Sequence, residues 1–393
     1  MKRILAMMLA VLLVAVAAGC GGSKGSTSGP SGLKEVKVAT VSPLSGGQAS
    51  LGVAIKNGAE LAIKDREKDL TAAGYKVVFQ PQDDEAKPEV GTQIAQRLAA
   101  DKGFLGVVGT LNTGVAKGIA PILLREGGGL VMVSPANTGV VMTESGWTNY
   151  NRIVFRDDYQ GPAAARYAAQ VLKIKTAYVM HDKTDYGKAL ADEFAKEVQK
   201  QGVTVAATVG VDEKKADYGP EATQAVAKNP DLIYFGGIYD TAGPLFKQMR
   251  AKGFKGAFLG GDGLDSADLV KLGGDAVDNT YFTSVSADYK TGEGKAFYDK
   301  YKAAYKDEPA AYALYGYDSM NVILQTLIDY GKKNSGKVPG REEFAKLVRA
   351  TKNFKAISST VSFNEKGDNP TSKVFVFKID KGKSVDLGAA PEK

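Results

Sequence analysis

A chain of 393 residues, 44% hydrophobic and 24% charged, has an ordinary globular composition and more length than one hydrophobic core usually organises. Its net charge of +7 is scattered along helical faces with acids nearby and forms no basic block interleaved with aromatics, so nucleic acid is not an expected partner. One Cys and one His exclude an internal disulfide and a zinc site built from Cys and His, and any Ser-His-Asp or Cys-His centre would have to use His181.

The first 19 residues read as a secretory signal: Lys2 and Arg3, an apolar run over residues 4–18, then the small residues Ala17, Ala18 and Gly19. The run is short for a transmembrane helix and has no stop-transfer flank. Cys20 follows directly. The stretch resembles the bacterial lipobox, in which that cysteine is acylated and becomes the mature N-terminus, with Ala17 where Leu is usual. Residues 20–32 combine this lipidated Cys20 with a Gly/Ser-rich segment of the composition of a flexible tether, so the membrane is expected to be met through a lipid anchor only.

Beyond the tether, strands and helices alternate. The β-branched run at residues 36–41 predicts a strand, residues 51–68 a helix, 74–79 a strand, 88–100 a helix and 104–108 a buried strand. Residues 119–124 follow as a helix and 130–133 as a strand. The same order then repeats: strand 176–180, helix 188–200, strand 202–205, helix 220–227, strand 232–235. The expected fold class is therefore α/β, with two similar lobes, each a doubly wound parallel sheet. In such sheets ligands sit at the carboxyl ends of the strands. The loops at 43–51, 111–114 and 134–139 in one half, and 181–186, 237–241 and 260–265 in the other, are where a site is expected.

Catalytic and cofactor signatures are missing from these loops. Gly382-Lys383-Ser384 lacks the upstream glycine of a phosphate loop, and Gly261-Asp262-Gly263 lacks the third glycine of a dinucleotide fingerprint. His181 has no serine at a nucleophile elbow and reads as a strand-end structural residue, and Asp83-Asp84-Glu85 reads as a solvated turn. No catalytic residue, metal or cofactor is assigned, and no enzyme activity is expected.

The pieces Pro43-Leu44-Ser45-Gly46, Val108-Gly109 with Thr113, Ser134-Pro135-Ala136-Asn137-Thr138, Phe155-Arg156 with Gln160-Gly161, His181-Asp182 with Tyr186-Gly187, and Tyr234-Phe235-Gly236-Gly237 lie in order along the chain. Together they resemble the branched-chain amino-acid-type substrate-binding proteins of ABC transporters, the leucine/isoleucine/valine-binding family, from about residue 36 to 377. The resemblance implies a type I periplasmic binding protein fold with a three-segment hinge, crossing near residues 155–158, 283–286 and 358–361. Lobe 1 would hold 33–156 and 285–358, lobe 2 would hold 157–284 and 359–387, and 388–393 would be a disordered tail. It also implies ligand-binding roles. Thr113 and Thr138 would hold an α-carboxylate, Ala136 and Asp262 an ammonium, and Tyr186 would close over the ligand. Leu51, Ile238, Tyr239 and Tyr312 would form the side-chain wall, Leu51 and Ile238 standing where the family often has aromatics. The implied function is an exported, monomeric lipoprotein that binds an aliphatic amino acid by hinge closure and delivers it to ABC permease subunits. Binding of short amides or urea-like solutes, and ligand sensing on the same fold, are the alternatives.

Overall fold

The computed structural model describes residues 32–285, 290–370 and 373–392; the expected signal, Cys20 and nearly all of the tether lie outside the described residues. The first sheet is built by β1 (Lys34–Ser42), α1 (Ala49–Ala72), β2 (Tyr75–Asp83), α2 (Pro88–Ala100), β3 (Phe104–Gly109), α3 (Thr113–Arg125), β4 (Val131–Ser134), the short α4 (Val141–Glu144) and β5 (Tyr150–Arg152). Its order is β2-β1-β3-β4-β5 and every pair is parallel. β3 and β4 are buried along their whole length, as a sheet covered by helices on both faces requires.

The chain then runs through α5 (Asp157–Arg166), β6 (Thr176–His181), α6 (Asp185–Lys200), β7 (Thr204–Gly210), α7 (Gly219–Ala227), β8 (Leu232–Gly236), α8 (Tyr239–Ala251), β9 (Ala257–Gly260), α9 (Ala267–Gly273) and β10 (Thr280–Ser284). After it come α10 (Lys295–Tyr305), α11 (Ala313–Lys333), α12 (Arg341–Arg349), the two-residue strands β11 (Phe354–Lys355) and β12 (Thr360–Val361), and finally β13 (Phe375–Asp380) and β14 (Lys383–Ala389). The second sheet has the order β14-β13-β10-β9-β8-β6-β7. It is parallel from β7 to β10, and β13 and β14 add to its far edge antiparallel. The two halves thus share a parallel βα pattern, as expected, but the second sheet is mixed.

The closing hairpin corrects two expectations. Lys381 and Gly382 both have positive φ, 48° and 73°, the conformation of a two-residue hairpin turn whose twist suits the flanking strands. Pairing continues to the end of β14, and the Ala390 N–H donates to the Val374 carbonyl at 2.9 Å, so the chain is held well past residue 387 rather than released as a tail. The third passage between sheets also lies later than residues 358–361. The Arg152 N–H of β5 donates to the Gly367 carbonyl at 2.9 Å and Arg152 Nε donates to Asp368 at 2.6 Å, so residues up to Asn369 still hang on the first sheet.

α1 and α11 mesh through glycines. A β-carbon on Gly58 would collide with the Ala313 carbonyl, and one on Gly316 with that of Ile55. This close backbone approach carries the start of α11, with Tyr312 just before it, up beside Leu51 of α1.

Candidate functional site

A cavity of about 330 Å³ lies where the carboxyl ends of the parallel strands of both sheets converge. From the first half it is lined by Leu51, Ala86, Pro88, residues 111–115 and Ala136, from the second by residues 183–186, Glu213, Ile238, Asp262 and Gly263, and by Tyr312. The inner end is buried; Pro88, Lys183, Asp185 and Glu213 stand exposed at its rim.

On the first wall, α3 begins at the cavity without a side-chain cap. The first-turn N–H groups of a helix have no intrahelical acceptor and carry the positive end of its dipole, so the N–H groups of Thr113, Gly114 and Val115 form an anion-binding surface, with the Thr113 hydroxyl beside them. Asn112, the N-cap residue, turns its amide away and donates to Gln48 Oε1 at 2.8 Å. Asn137 fixes the two neighbouring loops to each other: its Nδ2 donates to the carbonyls of Thr110 (2.9 Å) and Leu111 (3.0 Å), and its N–H donates to Ser134 Oγ (2.9 Å). Arg152, fully buried, donates to the carbonyls of Asn137 and Gly139 and to Asp368. Breaking a buried pair of this kind strands a charge, at a cost of about 3–5 kcal/mol. The loop that carries Ala136 is therefore rigid.

On the second wall Asp262 sits in a single 3-10 turn after β9, 1% exposed. Its Oδ1 accepts from Gln160 Nε2 at 2.9 Å and from the Tyr186 hydroxyl at 2.7 Å, and its Oδ2 accepts from the Tyr312 hydroxyl at 2.7 Å. The Tyr186 hydroxyl in turn accepts the Gly263 N–H at 3.1 Å. All three partners of the carboxylate are neutral, and a carboxylate can accept about four hydrogen bonds. Burial raises the Asp262 pKa, opposed by those same hydrogen bonds from Tyr312, Gln160 and Tyr186. Burial, and then the Asp262 charge, push the Tyr186 and Tyr312 hydroxyls far above their usual range, so both remain donors. One turn before Gln160 on α5, Asp157 is fully buried with both oxygens lacking a hydrogen-bond partner; burial, with the Asp262 charge next, raises it to about 8.

The structure brings Thr113, Ala136, Tyr186, Asp262, Leu51, Ile238 and Tyr312 to one cavity. It does not bring Thr138 or Tyr239 there. Thr138 is buried behind the wall, its carbonyl taken by the Asp157 N–H at 2.9 Å. Tyr239 turns toward the segment before α1, where its hydroxyl donates to the Gly47 carbonyl. Thr113 occupies the first helical position of α3, directly after Asn112. His181 has the expected strand-end role, its Nδ1 accepting the Lys183 N–H at 3.1 Å. Asp84 is fully buried and raised by burial to about 7, not part of a solvated turn. The parts of Gln160 and Asp157 were not foreseen. An acid opening a helix ordinarily signals only a dipole partner, and the one further cue was their spacing of three residues on one helix face.

The chain as a whole has known counterparts. The periplasmic binding protein family model matches residues 35–384. The chain belongs to that family. The Leu/Ile/Val-binding protein BraC3 of Rhizobium johnstonii is 30% identical over 352 residues, covering 89% of this chain and 93% of the relative. The Leu/Ile/Val-binding protein homolog 1 of Brucella abortus is 33% identical, covering 88% and 91%. Among solved structures, the leucine-binding protein LivK of Thermotoga maritima superposes with a TM-score of 0.82 at 28% identity, covering 90% of this chain and 98% of that one. The branched-chain amino-acid transporter binding protein LivJ of Streptococcus pneumoniae, solved with isoleucine, shares the fold at a TM-score of 0.80 and 22% identity, covering 91% and 100%. This periplasmic binding protein is thus of the Leu/Ile/Val-binding type, the type of ABC transporter substrate-binding proteins.

Proposed function

We propose that the protein binds a free α-amino acid with an aliphatic side chain between its two sheet-bearing halves and delivers it to the permease of an ABC importer. The observation that carries the reading is the pairing, within one cavity of about 330 Å³, of an uncapped helix start with a buried carboxylate whose partners are all neutral. A zwitterion satisfies both. Its carboxylate replaces lost water with the α3 N–H groups and the Thr113 hydroxyl, and its ammonium meets Asp262 and the Ala136 backbone. Asp157, behind Gln160 and raised by burial to about 8, is protonated at neutral pH and leaves the charge at the ammonium end to Asp262. Leu51, Leu111, Val115 and Ile238 supply the apolar wall for the side chain, which supports an aliphatic ligand.

In this reading the two halves are lobes that bend about the chain passages after β5, after β10 and beyond Asn369, and ligand favours the closed form through contacts present only there. The molecule works as an exported monomer held by lipid on Cys20, with no chemistry of its own. The test is a thermal-shift screen of ligand-stripped protein against L-amino acids, short amides and urea, followed by calorimetry on the hits. Saturable binding of leucine, isoleucine or valine is expected. Binding confined to amides or urea would overturn the amino-acid reading.

A further inference from the structure

We propose that Tyr239 is a latch that sets how long the ligand stays, acting between the two halves and not as a wall of the cavity. The inference rests on the binding-protein reading above and adds to it a residue that touches no ligand.

Tyr239 opens α8 in the second half, is fully buried, and does not line the cavity. Its hydroxyl reaches across to the segment joining β1 to α1 in the first half. There it donates to the Gly47 carbonyl at 2.7 Å and lies 2.8 Å from the Ser50 hydroxyl. Ser50 Oγ is also 3.3 Å from the hydroxyl of Ser266, the residue that caps α9 of the second half. The halves approach so closely here that a β-carbon on Gly47 would stand 3.0 Å from Asp240 Oδ2. Besides the Tyr312 hydroxyl's bond to Asp262 inside the cavity, other polar contacts near this gap are weaker. Gln48 Nε2 donates to Asp240 at a long 3.3 Å, and Lys117 pairs with Asp185 at 3.2 Å with both side chains nearly half exposed, where ion pairs contribute little. The Tyr239 hydrogen bonds are short and their tyrosine end is fully buried, so removing the hydroxyl takes both from the closed form, although the exposed Gly47 can still turn to water. Opening exposes all these groups to water, which makes the latch specific to the closed form.

The experiment is stopped-flow binding of leucine to Tyr239→Phe and wild-type protein, with affinities for leucine, isoleucine and valine measured on both. The expected result is leucine dissociation about 10-fold faster, association within about twofold, and unchanged ratios among the three affinities. Ser50→Ala, which alters the same contact from the opposite half, should move dissociation the same way by less, and the double variant should fall short of the product of the two. Unchanged dissociation, or altered affinity ratios, overturns the latch; the second result would make Tyr239 a cavity wall after all. If the wild-type protein binds none of the three amino acids, the reading of the ligand fails, and the latch is judged by small-angle scattering without ligand. Tyr239→Phe must then show a larger radius of gyration than wild type, and equal radii overturn it.

Discussion

Two of the helices that start at the cavity, α3 and α6, are finished differently. α6 is closed by its own sequence: Thr184 Oγ1 accepts the Gly187 N–H at 2.9 Å and donates to the buried Asp182 at 2.6 Å. α3 is left open: Asn112, in its capping position, donates its Nδ2 to Gln48 Oε1, and its Oδ1 accepts none of the helix N–H groups. A capped helix start is structural, whereas an uncapped one facing a cavity keeps N–H groups in reserve for something that arrives. What α6 contributes instead is Tyr186, whose hydroxyl helps hold Asp262. The contrast divides the labour, with the anion of a zwitterion going to the α3 wall and its cation to the Asp262 wall.

The division breaks most visibly at Asp262. Asp262→Ala should weaken binding of leucine at least about 100-fold by calorimetry, with an unchanged far-UV circular dichroism spectrum, because it strands a buried ammonium. An unchanged affinity would reduce Asp262 to a turn residue.

The acid-rich interior should also show in stability against pH. Burial raises Asp157 to about 8, Asp84 to about 7, and Asp182, Asp265 and Asp318 to about 6. Unfolded, such groups titrate near 3.9. Between about pH 4 and 8 the folded chain therefore holds more protons than the unfolded chain, and stability falls as pH rises. His181, lowered by burial, opposes this near its usual pKa, but as one group against five. The ligand-free melting temperature should drop by about 5 °C from pH 5 to pH 8, and Asp157→Asn should flatten the upper part of that slope. A melting temperature that rises over this range contradicts the account.

The helix starts themselves give the two smaller effects. Thr113→Val, which keeps shape and removes the hydroxyl, should cost about 10-fold in affinity with little change in melting temperature. Thr184→Ala should do the reverse, costing about 1 kcal/mol of stability and leaving affinity within about twofold. Exchange of these outcomes would mean that the open and closed helix starts have been assigned the wrong way round.

Some of this was written plainly in the chain and some was not. α2 spans residues 88–100 as the pattern predicts, because Pro88 marks its first turn and apolar residues recur behind it. α3 was read only from residue 119, since Gly114, Gly118 and Pro121 interrupt its pattern; the missed first turn is the part that meets the cavity. The β13–β14 hairpin escaped because its turn is Lys-Gly and its outer strand, interrupted by Asp386 and Gly388, has only Val385 and Leu387 as large apolar residues. Asp262 and Tyr186 lie in the loops where a site was expected, but their roles came from the family resemblance. Tyr239 follows Ile238 at a helix start, where successive side chains diverge by about 100°, so one faces the cavity while the next faces the other half. Gln160 and Asp157 stayed hidden in their role because nothing local shows that α5 packs against the turn after β9.

The most direct measurement of the central claim is calorimetry of ligand-stripped protein with leucine, with its analogue lacking the α-amino group (4-methylpentanoate) and with its analogue lacking the carboxylate (3-methylbutylamine). If the two walls read the two charges, leucine binds and each analogue binds at least about 100-fold more weakly. If 4-methylpentanoate binds as well as leucine, Asp262 holds no ammonium and the assignment of the two walls is wrong.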